Sequence, residues 1–585
     1  MRNADIHTFA THDDVTLSYR YWPALSQAAD TSARAIVLFH RGHEHGGRVA
    51  HLVDELDLPD CAFFAWDARG HGLSPGARGD SPSFGTSVRD VQTFMEHIAN
   101  QYGIALENIV VIAQSVGAVL AATWVHDYAP PIRALVLASP AFKVKLYVPF
   151  ARSGLKLMHR LRGNFFVNSY VKAKYLTHDA ERIDSYANDP LIARPISVEM
   201  LLGLYAAADR VVADAQSIQV PVQLLISGAD FVVRRKPQLQ FYQQLGSMDK
   251  EMHILPGFFH DTLGEKDRKI ATERIRRFIN HHFATPTTPP ALHTADRQGW
   301  SCAEAEGLAT PLPERSITGM YWRVTRAALS FAAKFSAGLK LGAETGFDSG
   351  STLDYVYRNQ PIGSNRFGQF VDKNYLDAIG WRGIRQRKLH IEELLGIAIK
   401  RLQSAQTPVR IVDIAAGHGR YILEALAHNV DQVESVLLRD YSELNVTQGT
   451  ALIKEKGLSD IARFVQGDAF DRDDLAQLSP QPTLAVVSGL YELFADNTHV
   501  EQSLAGLANA VLPGGYLIYT NQPWHPQLQF IARALTSHRA GQAWIMRRRS
   551  QTEMDQLVER AGFRKITQRV DEWGIFTVSL AQRIS

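Results

Sequence analysis

Cysteine is almost absent. Across 585 residues there are two, Cys61 and Cys302, which make neither a disulfide framework nor a zinc site and point to a reducing, cytoplasmic setting. No metal set is expected. Long apolar runs are missing too: no stretch of about 18 apolar residues occurs, so no membrane span is expected. The opening MRNADIHTFATHDDVTLSYRYW has no apolar core and no cleavage pattern, so no signal peptide is expected. Neither sign of charge dominates. Lys and Arg number 62 against 60 Asp and Glu, a net charge of +2, and the bulk gives no reason to expect nucleic acid as a partner. The chain is too long for one core, so two or more domains are expected.

The first 283 residues alternate short apolar runs with amphipathic segments. AIVLFH, CAFFAWD, IVVIAQS, ALVLAS and VQLLISG read as buried parallel strands, and the whole as an α/β fold. About 80 residues without a strong strand separate ALVLAS from VQLLISG, which suggests a helical cap at about 143–215. A stretch rich in Pro, Thr and Ala follows, and residues 284–318 read as a linker. From 319 the chain is helical to about 405. A second β/α alternation then begins: VRIVDIAAGHG, VESVLLRD, ARFVQGD, TLAVVSG, GGYLIYT and FTVSLAQ.

Three residues of the first half stand at the ends of apolar runs in an informative order. Ser115 follows IVVIAQ, Asp230 follows VQLLISGA and His260 follows MHILPGFF. A serine hydroxyl needs a base to take its proton, and the base needs an acid to orient it. Asp209 and Asp214 are alternatives for the acid, but neither follows a strand; His253 lies inside an apolar run and reads as packed. The turn around Ser115, Ala-Gln-Ser-Val-Gly-Ala, has Ala113 where a nucleophile elbow usually has glycine.

FHRGHEHGGR (39–48), DARGHGLSPG (67–76), the elbow, SGADFVV and the His260 stretch occur in order. Together they resemble the monoacylglycerol lipase, lysophospholipase and serine aminopeptidase S33-like branch of the α/β-hydrolases, over roughly residues 10–283. The resemblance implies Ser115 as nucleophile, Asp230 as orienting acid, His260 as general base, and the N–H groups of Gly42 and Val116 as oxyanion hole. The sequence departs from the family at Arg41 and His43, where glycines are usual. An arginine at 41 is expected to strain the loop or to set a cation beside the acyl site, which makes Arg41 a substrate-contact candidate.

From Lys143 to His178 there are eight Lys or Arg and no Asp or Glu, interleaved with Leu, Val, Phe and Tyr. Such a cap suits an anionic amphiphile or peripheral contact with an anionic membrane; a solvated helix face is the plainer alternative.

In the second half, Asp413, Gly417 and Gly419 fall on a strand, glycine turn and helix. Asp440 ends the next strand about 20 residues on, where a carboxylate can reach ribose hydroxyls. The series resembles class I S-adenosylmethionine-dependent methyltransferases over roughly residues 385–583. That resemblance implies S-adenosyl-L-methionine as cofactor. It places Asp413, Ala415, Gly417 and Gly419 along its amino-acid part, Asp440 at the ribose, and Asp468 with Ala469 at the adenine. Tyr491, Glu492, Trp524 and His525 are candidates near the methyl group. A nicotinamide-cofactor reading fits less well because the loop lacks the third glycine.

The helical stretch MYWRVTRAALSFAAKFSAGLKLG sets Val324, Ala328, Phe331, Phe335 and Leu339 on one face, suiting an interface or ordinary packing. IMRRRS (545–550) is a further basic cluster that could meet a phosphate. The expectation is a bifunctional enzyme, an acyl or ester hydrolase joined to a methyltransferase in lipid metabolism. Alternatives are a pair of enzymes acting on a soluble metabolite, or one half serving as a non-catalytic module.

Overall fold

The structure, a computed structural model, describes residues 2–26, 32–145, 150–169, 171–286, 288–313, 315–426, 430–539 and 541–584. Parts of the expected cap (146–149 and 170) and of the expected linker (287 and 314) lie outside the described residues. The chain divides into two compact units, Met1–Pro290 and Ala291–Ser585.

In the first unit every run read as a buried strand is one. The strands are β1 (Asp5–Ala10), β2 (Thr16–Trp22), β3 (Arg34–Phe39), β4 (Cys61–Trp66), β5 (Ile109–Gln114), β6 (Ala134–Ala138), β7 (Phe166–Asn168), β8 (Pro195–Ser197), β9 (Val222–Ser227) and β10 (Lys250–Leu255). Eight of them form one sheet in the order β1-β2-β4-β3-β5-β6-β9-β10. β2 runs antiparallel to both neighbours, and the rest are parallel. β4, β5, β6 and β9 are buried at every residue, because helices cover both faces of a parallel sheet and leave no polar side. One face packs Leu38, Ile112, Val136 and Leu225 against Ile275 and Phe278 of the helix Lys269–Ala284. Fully burying such a side chain contributes roughly 1.5–3 kcal/mol.

The cap inserts between β6 and β9. It consists of the helices Ala151–Arg162, Ala180–Asn188 and Val198–Ala213 with the antiparallel strand pair β7 and β8.

The second unit has β11 (Arg410–Asp413), β12 (Ser435–Asp440), β13 (Ala462–Gln466), β14 (Leu484–Val487), β15 (Tyr516–Asn521), β16 (Phe563–Val570) and β17 (Thr577–Arg583). Their order is β13-β12-β11-β14-β15-β17-β16. β17 runs antiparallel to β15 and β16, and the strands from β13 to β15 are parallel. The strand order reverses between β11 and β14, where a doubly wound sheet opens a crevice at its carboxyl edge. β16, FRKITQRV, was not among the runs read as strands. It is a half-buried edge strand with four charged or amide side chains, so it carries no apolar run to detect.

Two expectations need correction. Residues 291–313 are not a free linker. The helix Trp300–Ala309 forms within them, and this stretch is tied to the second unit by Asn497 N–H to Asp296 (2.9 Å), Arg547 to Ser301 Oγ (2.8 Å) and Arg548 to Glu304 (2.7 Å). The stretch from Met320 to Gly342 is two helices, Ile317–Ala332 and Ala337–Thr345, capped at Ser316 and Ser336. The break ends the single stripe: Leu339 is buried while Val324 and Phe331 are 65% and 60% exposed.

Candidate active sites

In the first unit the chain turns sharply after β5. Ser115 sits at φ 55°, ψ −115° and is followed at once by the helix Val116–Tyr128. A left-handed φ at a non-glycine residue is costly and persists only where the surroundings enforce it. Here Ser115 N–H donates to Ala138 O (3.0 Å), and Ser115 O accepts from Val119 and Ala141. Ala113 is fully buried inside β5, in register with Phe39 and Leu137, so its methyl group is accommodated. The strict position is Gly117, where a Cβ would collide with the carbonyl oxygen of His40.

The three residues expected to act together meet. Ser115 Oγ lies 2.7 Å from His260 Nε2, and His260 Nδ1 lies 2.8 Å from Asp230 Oδ2. Asp230 Oδ1 accepts from the N–H groups of Val232 (2.7 Å) and Val233 (2.9 Å). Burial works to raise its pKa, yet the facing imidazole and these hydrogen bonds hold it below the usual carboxylate value. Asp209 and Asp214 are elsewhere: Asp209 pairs with Arg152, and Asp214 with His126. A serine hydroxyl, an imidazole and a buried carboxylate in this chain are the arrangement that turns an alcohol into a nucleophile.

Gly42 faces the same turn, since a Cβ there would come within 2.9 Å of Val116 Cγ2. Val116 opens its helix, so its N–H is one of those the helix itself cannot satisfy.

Arg41 does not do what the sequence suggests. It is buried, and its guanidinium makes a two-pronged pair with Glu44 (Nε–Oε2 2.7 Å, Nη2–Oε1 2.6 Å), 3.7 Å from Asp261 and over the ring of Tyr186. Its charge is spent inside the protein. The strained residue of the loop is His43, at φ 69°.

Around Arg41 lies a cluster that the sequence reading missed. Asp261 accepts from Gln114 Nε2 (3.1 Å) and from Arg182 Nε of the cap (3.1 Å). Burial tends to raise the pKa of both Glu44 and Asp261, but the surrounding arginines pull both down. The cap segment 176–182 is pinned to the same place. Leu176 O accepts from Asp261 N–H (2.7 Å), Thr177 Oγ1 donates to Gly264 O (3.0 Å), and His178 N–H donates to Glu265 (2.7 Å). The only sequence signal was adjacency: Gln114 precedes Ser115 and Asp261 follows His260.

The backbone of Lys143 and Lys145 pairs with the loop after Asp230, through Arg234 N–H to Lys143 O and Lys145 N–H to Val232 O, and the Lys145 ammonium donates to Asp230 O. The helix Ala151–Arg162 buries none of its residues. It shows Leu157 at 59% and Leu161 at 74% exposure, with Phe150 beside it at 87%.

In the second unit the loop after β11 is built for close approach. Gly417 and Gly419 take φ 58° and 73°. A Cβ at Gly417 would come within 3.4 Å of Gly350, and one at Gly419 would strike Leu438. Asp440 Oδ2 accepts from Gly417 N–H (2.9 Å), and its other oxygen from Ser442 N–H and Asn445 Nδ2 (2.9 Å each). Asp413 is fully buried and bonded by Tyr421 OH (2.5 Å). Burial pushes its pKa up to about 7; the Tyr421 and Ala415 hydrogen bonds oppose this, and the Asp440 charge adds to it. Its Oδ1 is a buried oxygen without a hydrogen-bond partner. An orphaned carboxylate oxygen below a glycine cradle, with a second carboxylate at the next strand end, fits a cationic, ribose-bearing ligand. Asp468 is exposed and Ala469 buried on the loop after β13.

The methyl-side candidates separate. Glu492 and His525 line a cavity of about 380 Å³ beside the β14 loop. Tyr491 does not: it is buried in the core, its hydroxyl 3.0 Å from Ser503. Trp524 stacks under Arg548 at 5.2 Å. The basic run is also corrected. Arg547, Arg548 and Arg549 are 1–3% exposed and consumed by Glu553, Glu304, Asn497 and backbone carbonyls, so the run does not offer itself to a phosphate. Tyr421 and Arg387, which the sequence reading passed over, stand on the helices after and before the glycine loop.

Fold and sites thus define a two-unit α/β protein, a hydrolase-type unit followed by a methyltransferase-type unit. The chain belongs to the family described as "Putative methyltransferase", matched over residues 275–583, and its first half matches "Serine aminopeptidase, S33" over residues 30–267. It is 58% identical over 577 residues to the Escherichia coli (strain K12) protein YnbC, covering 99% of this chain and 98% of that one. A monoacylglycerol lipase of Mycolicibacterium smegmatis is 24% identical over 288 residues, 47% of this chain and 97% of its own length. Among solved structures, the Paleococcus ferrophilus monoacylglycerol lipase covers 48% of this chain and 100% of its own, with 22% identity and a TM-score of 0.40. Among the described residues no helix is long and apolar enough to cross a membrane.

Proposed function

We propose that the protein is a bifunctional enzyme of lipid metabolism, with a serine hydrolase of acyl or ester bonds in the first unit and an S-adenosyl-L-methionine-dependent methyltransferase in the second. The observation that carries the first activity is the 2.7 Å and 2.8 Å chain from Ser115 through His260 to Asp230. Ser115 Oγ attacks the acyl carbon, His260 takes its proton and later gives it to the leaving alcohol, and Asp230 holds the imidazole. The N–H groups of Gly42 and Val116 receive the negative charge that forms on the carbonyl oxygen. Similarity to monoacylglycerol lipases supports an acylglycerol or lysophospholipid substrate.

For the second activity, Asp413, Ala415, Gly417 and Gly419 would hold the amino-acid part of the cofactor, Asp440 the ribose, and Asp468 with Ala469 the adenine. When bound, the cofactor supplies an electrophilic methyl group, so the chain's task is mainly alignment and exclusion of water. Exposed Leu157 and Leu161 beside Lys156 and Arg160 support peripheral contact of the cap with an anionic membrane face in the cytoplasm.

The deciding experiment is fluorophosphonate labelling with hydrolysis of monoacylglycerol and lysophospholipid by the full chain, run alongside calorimetry with S-adenosylmethionine. Labelling lost in Ser115→Ala, cleavage of either lipid, and saturable cofactor heat are expected. Unlabelled wild-type protein would overturn the hydrolase reading, and absent heat at millimolar cofactor the methyltransferase reading. No binding of wild type to anionic vesicles would overturn the membrane contact, and binding that persists after Lys156→Glu/Arg160→Glu would overturn its assignment to this cap helix.

A further inference from the structure

Two polar residues of the 380 Å³ cavity of the second unit stand on neighbouring strand-end loops, after β14 and β15, in a lining that is mainly apolar and aromatic. The first is Glu492. Its Oε1 accepts from Arg387 Nη1 at 3.2 Å, while its Oε2 is buried without a hydrogen-bond partner. The second is His525, whose Nδ1 accepts from Gln527 N–H at 3.0 Å, leaving Nε2 to carry the ring's hydrogen. Burial and the Arg548 charge hold His525 down to about 3, so it is neutral at physiological pH. Glu492 is itself raised by burial against the pull of Arg387.

A buried, unsatisfied carboxylate oxygen costs free energy that a donor from a ligand would recover. One chemical group meets both walls. A hydroxyl donates one hydrogen, which Glu492 Oε2 can take, and accepts another, which His525 Nε2 can give. The remaining wall, Tyr375, Trp381, Phe530, Trp544 and Phe576 among it, is mainly aromatic and aliphatic, with Tyr375 OH and Trp544 Nε1 buried without a hydrogen-bond partner. The volume equals that of about a dozen water molecules at ~30 Å³ each and lies toward the low end of ordinary ligand sites. Glu492 enters from the loop after β14, at the sheet's reversal point.

We propose that this cavity binds an apolar alcohol or phenol, of roughly a dozen non-hydrogen atoms on that volume scale, with its hydroxyl held between Glu492 and His525. Calling this molecule the methyl acceptor rests on the methyltransferase reading; its binding does not. Charged occupants are disfavoured, because an anion would stand against Glu492 and a cation would displace Arg387 from it. The approach is apolar too. The helices Ile317–Ala332 and Arg366–Leu376 contribute Leu329, Ala332 and Val371 to the wall, and the same two helices expose Val324, Phe331, Phe367 and Phe370 to solvent.

The test uses the full chain and follows the fluorescence of Trp381 and Trp544 with calorimetry as a second measure. The probes are dodecan-1-ol, its methyl ether and dodecanoate. Expected is saturable binding of the alcohol at least tenfold tighter than of either other probe. In the double variant Arg387→Leu/Glu492→Leu, which removes the buried pair together, alcohol and ether should bind within twofold of each other. Ala332→Phe, which fills the cavity, should abolish binding with the thermal transition retained. Should Arg387→Leu/Glu492→Leu not fold, the three-probe comparison on wild type decides. Equal affinity for alcohol and ether, tighter binding of dodecanoate, or no saturable signal in wild type overturns the proposal. Cofactor heat measured on the same sample separates the two readings. Heat without alcohol binding sinks only the cavity assignment, and alcohol binding without heat sinks only the methyltransferase.

Discussion

Gln114 donates a 3.1 Å hydrogen bond to Asp261, joining the residue before Ser115 to the residue after His260. The amide also reaches His260 O at 3.2 Å. The two loops that must keep Oγ and Nε2 in register are therefore fastened one residue away from the chemistry.

Gln114→Ala and Asp261→Asn should each slow fluorophosphonate labelling by about tenfold, and together by little more than either alone. A double-mutant cycle is expected to give a coupling of about 1 kcal/mol. Additive losses would mean that the two residues act separately.

Ser115→Gly should abolish hydrolysis while raising the first unit's unfolding midpoint. A non-glycine residue at φ 55° stores on the order of 1 kcal/mol that glycine releases. Calorimetry checks the midpoint. Gly117→Ala should lower that midpoint, because its methyl group meets the backbone of His40.

Arg41→Ala should destabilise the first unit by about 3 kcal/mol, the low end for removing one partner of a buried pair, because Glu44 keeps Arg48 at 3.3 Å and Asp261 keeps Arg182 at 3.1 Å. The ratio of kcat/KM for anionic over neutral esters should stay unchanged, since the guanidinium already faces Glu44. The same carboxylates set an acid limit. Glu44 and Asp261 have folded pKa values below their unfolded ones. Their stabilisation is full above pH about 4.5 and is lost as pH falls through the lower folded values. A denaturant midpoint measured from pH 7 down to pH 3 should fall accordingly.

Asp413 has the opposite sign. Its folded pKa, raised to about 7, means the folded state keeps a proton that the unfolded chain has lost above pH 4. Stability from this residue therefore falls as pH rises from about 4 to 7 and is flat beyond. Asp413→Asn should raise the second unit's unfolding temperature at pH 8 but scarcely at pH 4.5. Cofactor binding near pH 6.5 should release a proton from wild type and none from Asp413→Asn, read as a dependence of calorimetric heat on buffer ionisation enthalpy.

What the sequence revealed followed the length scale of the interactions. Buried parallel strands announce themselves as apolar runs, so the order of strands carrying Ser115, Asp230 and His260 was readable, and so was the glycine loop. Contacts across the fold leave no local trace. Nothing near Arg41 in the chain says that Asp261 will lie 3.7 Å away, and a triple arginine looks exposed until Glu553 and Glu304 are seen to meet it. Tyr491 and Glu492 are neighbours in sequence, yet one enters the core and the other the cavity, a distinction set by one step along a short 3-10 turn.

The pinned cap segment bears on how these enzymes could be re-engineered. Leu176, Thr177, His178 and Arg182 are fastened to the loop that carries His260, whereas the helix Ala151–Arg162 buries nothing. A graft that exchanges the cap should therefore make its downstream cut before Leu176. Beyond that point the cap is no longer an interchangeable cover, and a transplanted segment would bring a foreign fit to the base itself.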